Sequence, residues 1–139
     1  MNIYLAGPFF NEKELEAVKR AEELIGARND LYLYSPRRHE QQSQSGTRQW
    51  SMDVFENDRS AIDRCDCVVM LYHGQYSDSG TAWECGYAYG IGKPVVVVQL
   101  GEDSNLMVHE GSSTNITMED LATYDFEGMP RNVYQGVIM

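Results

Sequence analysis

The sequence predicts an α/β fold: a parallel sheet of short apolar strands covered by helices on both faces. Three observations carry this reading. Residues 67–71 (Cys-Val-Val-Met-Leu) and 95–98 (four valines) are continuously apolar rather than alternating, the pattern of parallel strands buried on both sides. A helical segment, 80–91, lies between them, as a parallel crossover requires. The amino terminus repeats the arrangement, with an apolar run at 2–6, a loop at Gly7-Pro8 and a helical pattern from Asn11. The chain has 139 residues, 42% of them hydrophobic, which is enough for one core and predicts a single domain over 1–139.

Each element has its own justification. Residues 2–6 form the first strand, and the loop after it carries Phe9 and Phe10. These aromatics read either as core or staple residues or as a wall for a flat ligand. Asn11 with Glu14 three residues later starts a helix in the manner of a capping box. Leu15, Val18, Ala21 and Ile25 share its apolar face, and Gly26 ends it. Residues 31–34 are the second strand, closed by Ser35-Pro36. From 37 to 47 the chain is polar and aperiodic, a loop long enough to cover a site. Arg37, Arg38 and His39 in that loop read first as a solvated cluster and second as an anion site.

Residues 47–64 have helical periodicity, with Trp50, Val54, Ala61 and Cys65 on one stripe. Asp58 falls inside that stripe. A carboxylate there is costly unless it is paired, for instance by Arg59 or a backbone amide, or used. Asp53, Glu56 and Asp63 fall off the stripe as solvated acids. The strand at 67–71 leads through a loop bearing Asp78 into the 80–91 helix, where Gly86 and Gly90 would let a neighbouring backbone approach. After the 95–98 strand the pattern weakens. A short apolar patch at Leu106-Met107, a fifth strand at Asn115-Ile116 and a brief helix at 118–122 precede a tail, 125–139, that packs on its own subunit or a neighbour.

The formal charge of −10 and pI near 4.6 argue against nucleic acid or anionic membrane as partners. No apolar run reaches the roughly 18 residues of a membrane span, and the start lacks a basic, apolar leader, which predicts a cytoplasmic protein. Three cysteines and three scattered histidines lack metal-ligand spacing, so no metal is expected. Neither Gly-x-Gly-x-x-Gly, nor a P-loop, nor a Gly-x-Ser-x-Gly elbow occurs.

One stretch concentrates chemistry: 78–88, Asp-Ser-Gly-Thr-Ala-Trp-Glu-Cys-Gly-Tyr-Ala. With Ser79 as N-cap, Glu84 lies within about one turn of a helix N-terminus, whose macrodipole favours the ionised carboxylate. The strand assignments collect Tyr4, Asp58, Asp78 and Glu84 at the carboxyl edge of the sheet, where ligands of open α/β sheets bind. An acid-rich pocket with a phenol suits glycosyl transfer, one carboxylate attacking the anomeric carbon and another assisting the leaving group. Tyr4 either orients the nucleophile or packs between sheet and helix.

The chain resembles the nucleoside 2-deoxyribosyltransferase family along nearly its whole length. The matching segments are Ile-Tyr-Leu-Ala-Gly-Pro-Phe-Phe at 3–10, Asn57-Asp58, the 78–87 signature, Asn105-Leu106-Met107, 111–116, Tyr124-Asp125-Phe126 and Tyr134-Gln135-Gly136. The resemblance implies a flavodoxin-like, Rossmann-like, five-stranded parallel sheet. It also implies exchange of 2-deoxyribose between deoxynucleosides and free nucleobases without a cofactor. By position it makes Glu84 the nucleophile of a covalent deoxyribosyl intermediate, Tyr4 its orienting phenol and Asp58 the acid beside the base. Asp78 becomes a ligand of the sugar hydroxyls, Phe9 lies near the base, and Gly7 and Gly80 belong to the substrate-binding segments. Asn115 would reach a neighbouring subunit's site, which implies a homo-oligomer, a hexamer built from dimers or a dimer. Relatives end in a tyrosine that approaches the site, whereas this chain ends Val137-Ile138-Met139. The competing expectation is a hydrolase of deoxynucleoside 5′-monophosphates that uses the same glutamate, with Arg37, Arg38 and Ser43 serving a phosphate.

Overall fold

The computed structural model describes residues 1–39, 41–75 and 77–139. Its elements are β1 (Asn2–Ala6), α1 (Glu12–Gly26), β2 (Tyr32–Tyr34), a 3₁₀ turn (Pro36–Arg38), α2 (Arg48–Arg64), β3 (Cys67–Tyr72), α3 (Ser79–Gly90), β4 (Val95–Gln99), β5 (Asp103–Ser104), α4 (Leu106–Gly111), β6 (Thr114–Ile116), a second 3₁₀ turn (Glu119–Ala122) and β7 (Val137–Ile138). Five strands make one sheet in the order β2-β1-β3-β4-β6, all parallel. This is the flavodoxin-like order, and its direction reverses between β1 and β3, which opens a crevice at the carboxyl ends of those strands.

Side-chain alternation divides the interior into two layers. Ile3, Leu5, Val69, Leu71, Val96 and Val98 face α1 and the 116–126 segment. Tyr4, Ala6, Val68, Met70, Val95 and Val97 face α2 and α3. All six residues of β3 are buried, as its unbroken apolar sequence requires of a central parallel strand. Each such valine or leucine contributes about 1.5–3 kcal/mol relative to exposure.

The capping at Asn11 is as expected: its side chain accepts from Glu14 N at 2.9 Å, while Glu14 reaches back to Phe10 N at 3.0 Å. Thr47 caps α2, accepting from Trp50 N. The tail packs on its own chain. β7 pairs with β5, Leu106 N donates to Met139 O at 2.7 Å, and Tyr134 Oη donates to Glu102 O at 2.7 Å.

Two expectations about the 37–47 loop are corrected. Arg37 and Arg38 are neither free surface charges nor an open anion site, because both are tied to Glu22, which is only 2% exposed. Arg37 Nε and Nη2 donate to Glu22 Oε1, Arg38 Nε lies 3.3 Å from Oε2, and Ser35 Oγ donates to Oε2 at 2.6 Å. Glu22 lies four residues after Val18 on the buried stripe of α1, so a buried carboxylate there needs cations from elsewhere. The loop is also pinned at Ser43, whose hydroxyl donates to Asp53 Oδ2 at 2.8 Å. Arg37→Ala leaves Glu22 with a weakened set of donors and is expected to cost about 2–4 kcal/mol in chemical denaturation.

Candidate active site

Position 78, and not 79, caps α3. The Asp78 carboxylate accepts from Thr81 N and Thr81 Oγ1, both at 2.8 Å, so the helix starts one residue earlier than expected. Glu84 is then the sixth residue of α3, beyond the first turn to which the macrodipole effect is confined. The dipole does not hold it ionised. Burial instead pushes its carboxyl up to about 8, with the charges of Asp58 and Asp78 adding to the rise and the Tyr4 hydrogen bond opposing it.

That hydrogen bond joins two elements far apart in sequence. Tyr4 belongs to the β1 face that packs on α2 and α3, its ring is wholly buried, and its hydroxyl donates to Glu84 Oε2. A buried phenol must find a partner, and here the partner is the candidate nucleophile. Burial and the neighbouring Glu84 and Asp58 charges raise the Tyr4 hydroxyl far above the ordinary range, so it stays a proton donor. The packing and orienting roles allowed for Tyr4 by the sequence therefore coexist.

Asp58 enters from α2. Burial raises its carboxyl to about 6. The expectation that Arg59 might neutralise it is corrected: Arg59 also lines the cavity that Asp58 lines, but its guanidinium bonds Glu56 at 2.9 Å and Asp63 at 2.6 Å. Among the described residues Asp58 has no hydrogen-bond or ion-pair partner. Asp58 and Glu84 line one cavity of about 590 Å³ between α2 and α3, with Trp50, Phe55, Trp83 and Gly80 around them. A second cavity, about 670 Å³, lies between α3 and α4 and is lined by Asp78, Gln75, Tyr89, Asn105 and Met107. It is the larger of the two, yet the candidate nucleophile is in the first. Ser79 lines both, so the two hollows flank the start of α3.

The remaining expected residues fall in different places. Gly7 packs on β3, where a Cβ would meet Leu71 Cβ at 3.0 Å, and a Cβ on Gly80 would lie 3.2 Å from Asp78 Oδ2. Phe9 and Phe10 are not core residues: they are 45% and 83% exposed and stack on each other at 6.4 Å, which leaves the wall role as the open one. Asn115 sits on edge strand β6, donates to Gln99 Oε1 at 2.9 Å and lines neither cavity. Open space surrounds Gly86 and Gly90, so among the described residues no neighbouring backbone uses them. Among the described residues no three His, Cys, Asp or Glu side chains group as a metal site, and no helix is long and apolar enough to cross a membrane.

Sequence reasoning gave Tyr34 no part in the site, and linked neither Asn57, read only within the Asn57-Asp58 segment, nor His39, read as a solvated or anion-binding residue, to it. Tyr34 is the register partner of Tyr4 on the neighbouring strand, its ring stacked at 5.6 Å. Asn57 Nδ2 donates to its hydroxyl at 2.7 Å, and the His39 ring stacks on it at 4.1 Å. The available signal was the tyrosine at the end of the second strand, but only strand register shows that it meets Tyr4.

Residues 3–129 match the family described as nucleoside 2-deoxyribosyltransferase. The chain belongs to that family. It is 32% identical to a nucleoside deoxyribosyltransferase of Lactobacillus johnsonii, over 66% of this chain and 64% of that protein, just under two thirds of the relative's length. The nucleoside deoxyribosyltransferase of Lactobacillus leichmannii is 26% identical, with 98% of this chain and 96% of that one covered. A solved 2-deoxyribosyltransferase from Bacillus psychrosaccharolyticus is similar with a TM-score of 0.84 and 33% identity, covering 96% of this chain and 99% of that structure. Its family membership thus agrees with the five-stranded parallel fold.

The raised Glu84 carboxyl has a consequence for stability. The folded protein holds this proton more tightly than the unfolded chain, whose carboxyl has the ordinary value of 4.5. Stability therefore falls as pH rises from about 4.5 to about 8, and the loss is complete above that. Asp58 acts in the same sense between 3.8 and about 6. Glu84→Gln should flatten the upper part of this dependence and raise the thermal midpoint at pH 8.5, by about 1–2 kcal/mol in stability.

Proposed function

We propose that this protein exchanges 2-deoxyribose between nucleobases through a covalent deoxyribosyl-Glu84 intermediate, with net retention at C1′. The observation that carries the reading is the Tyr4 hydroxyl donating to a half-buried Glu84 carboxyl that shares its cavity with Asp58. In the first displacement a Glu84 oxygen attacks C1′, the N-glycosidic bond breaks, and the Asp58 carboxylic acid gives its proton to the departing base. In the second, an incoming base attacks C1′ from the opposite face, its proton returns to Asp58, and Glu84 leaves as carboxylate. Two inversions give retention.

The acid pair is poised for this work. With raised values of about 8 and about 6, Glu84 and Asp58 together hold one proton near neutrality. Those values leave the proton mainly on Glu84; the productive arrangement shifts it to Asp58 and leaves Glu84 charged, a form that the Tyr4 hydrogen bond stabilises. Asp78 contributes a carboxylate at the start of α3 that could accept from sugar hydroxyls, Oδ2 being occupied by Thr81. Phe9, exposed on the loop after β1, would meet the base. A second copy of the chain would cover the open α3 surface around Gly86 and Tyr89 and bring Asn115 to a neighbouring site.

The test is an exchange assay: a deoxynucleoside plus a different free base, with the new nucleoside and the released base measured by chromatography. Exchange at the expense of hydrolysis supports transfer. Release of free deoxyribose alone, or activity confined to 5′-monophosphates, would sink the transfer reading in favour of a hydrolase. The engagement of Arg37 and Arg38 by Glu22 counts against the phosphate pocket such a hydrolase needs.

A further inference from the structure

We infer that Tyr34 is a positioning residue for the nucleophile, holding the Tyr4 phenol against Glu84, and that His39 steadies Tyr34 by stacking on it. This rests on the transfer reading, for it gives Tyr34 a part in the same site.

The inference starts from strand register. β1 and β2 are parallel, with Tyr4 directly opposite Tyr34, so both side chains emerge on the face that packs on α2 and α3. The rings lie nearly parallel, 11° apart with centroids at 5.6 Å. The His39 imidazole also stacks on Tyr34, at 4.1 Å and 10°. The three rings thus make one stacked column with Tyr34 common to both pairs, and its Tyr4 member carries the hydroxyl bonded to Glu84. Stacking of this kind resists tilting of the Tyr4 ring, and a phenol steadied by a neighbouring ring aims its hydroxyl along one direction.

The column is fixed at two further points. Asn57 Nδ2 donates to the Tyr34 hydroxyl at 2.7 Å, and Asn57 precedes Asp58 on α2, so the group that steadies Tyr34 is one residue from the acid. His39 follows the Pro36–Arg38 turn, which the buried Glu22 grips through Ser35, Arg37 and Arg38. No residue of this column other than Tyr4 touches Glu84, and neither Tyr34 nor His39 lines the acid cavity, so neither has a direct role in bond making. What remains for them is geometry. A displacement on the order of 1 Å at a reacting group costs up to about 100-fold in rate.

The test compares Tyr34→Leu, Tyr34→Phe and His39→Ala with the unaltered protein, measuring kcat and KM for base exchange and the single-turnover rate of the Glu84 adduct by mass spectrometry. Tyr34→Leu removes the ring and should lower kcat and the adduct rate by about 10–100-fold, with KM within about twofold. Tyr34→Phe keeps the stack and should restore most of that loss. His39→Ala, at an exposed position, should lower kcat by a few fold, and the effect should vanish in the Tyr34→Leu background because His39 then has no ring to steady. An adduct rate in Tyr34→Leu equal to that of the unaltered protein, a loss confined to KM, failure of Tyr34→Phe to rescue, or additive His39 and Tyr34 effects would each overturn the inference. An unaltered protein that neither exchanges bases nor forms an adduct would instead overturn the transfer reading itself, and the positioning role with it.

Discussion

Glu84→Ala is expected to lower base exchange by at least about 10⁴-fold and to remove the deoxyribosyl adduct from the protein. The effect is large because no other carboxylate can replace it. Asp58 approaches from α2, and Asp78 has one oxygen committed to capping α3. Intact-mass analysis after mixing with a deoxynucleoside should show an added deoxyribose on the unaltered chain, and peptide mapping should place it on Glu84. Because Tyr4 and Asp58 remain, the alanine variant should still bind substrate. A variant that keeps exchange within tenfold of the original would remove Glu84 from the mechanism and with it the covalent route.

Asp58→Asn is expected to lower kcat/KM by about 10²–10³-fold, the range of a lost general acid. Its signature is the pH profile. The unaltered protein should give a bell with apparent limbs near about 6 and about 8, values that belong to the Glu84–Asp58 pair. Below the lower limb both acids are protonated and there is no nucleophile. Above the upper limb both are ionised and there is no proton for the base. Asparagine cannot supply that proton at any pH, so the residual activity should rise as Glu84 ionises and then level off, without an alkaline fall. The loss should also shrink for a nucleoside whose base departs without protonation. An alkaline limb that survives unchanged would assign the proton to another group.

Much of this site could be read along the chain because each part had a local signal. Glu84 lies in a polar-to-helical transition between two unmistakable buried strands, and Asp58 interrupts an apolar stripe whose period is set by α2 itself. The strands 67–71 and 95–98 were legible for the same reason, since an unbroken apolar run has few alternatives in a protein of this charge. Even the fifth strand at Asn115 was found, although three residues carry little pattern. Boundaries and caps were less secure. Asp78 and Ser79 are both good N-caps, and only the carboxylate's reach to Thr81 decides between them.

By itself, then, the sequence determined the layer order and the identity of the acids, because burial of apolar runs and the cost of a carboxylate on an apolar face are properties of short segments. The tertiary structure decided what those acids are. Glu84 is held near about 8 because burial outweighs the Tyr4 hydrogen bond, and no dipole at the helix start offsets it. Tyr4 reaches Glu84 across 80 residues, and Tyr34 lies on Tyr4 only because β1 and β2 pair in one register. The pair Arg37 and Arg38 became an anchor, and not an anion site, because folding brings the buried Glu22 of α1 beneath them. Desolvation and contacts between distant segments exist only once the sheet has formed, so no local pattern could carry them.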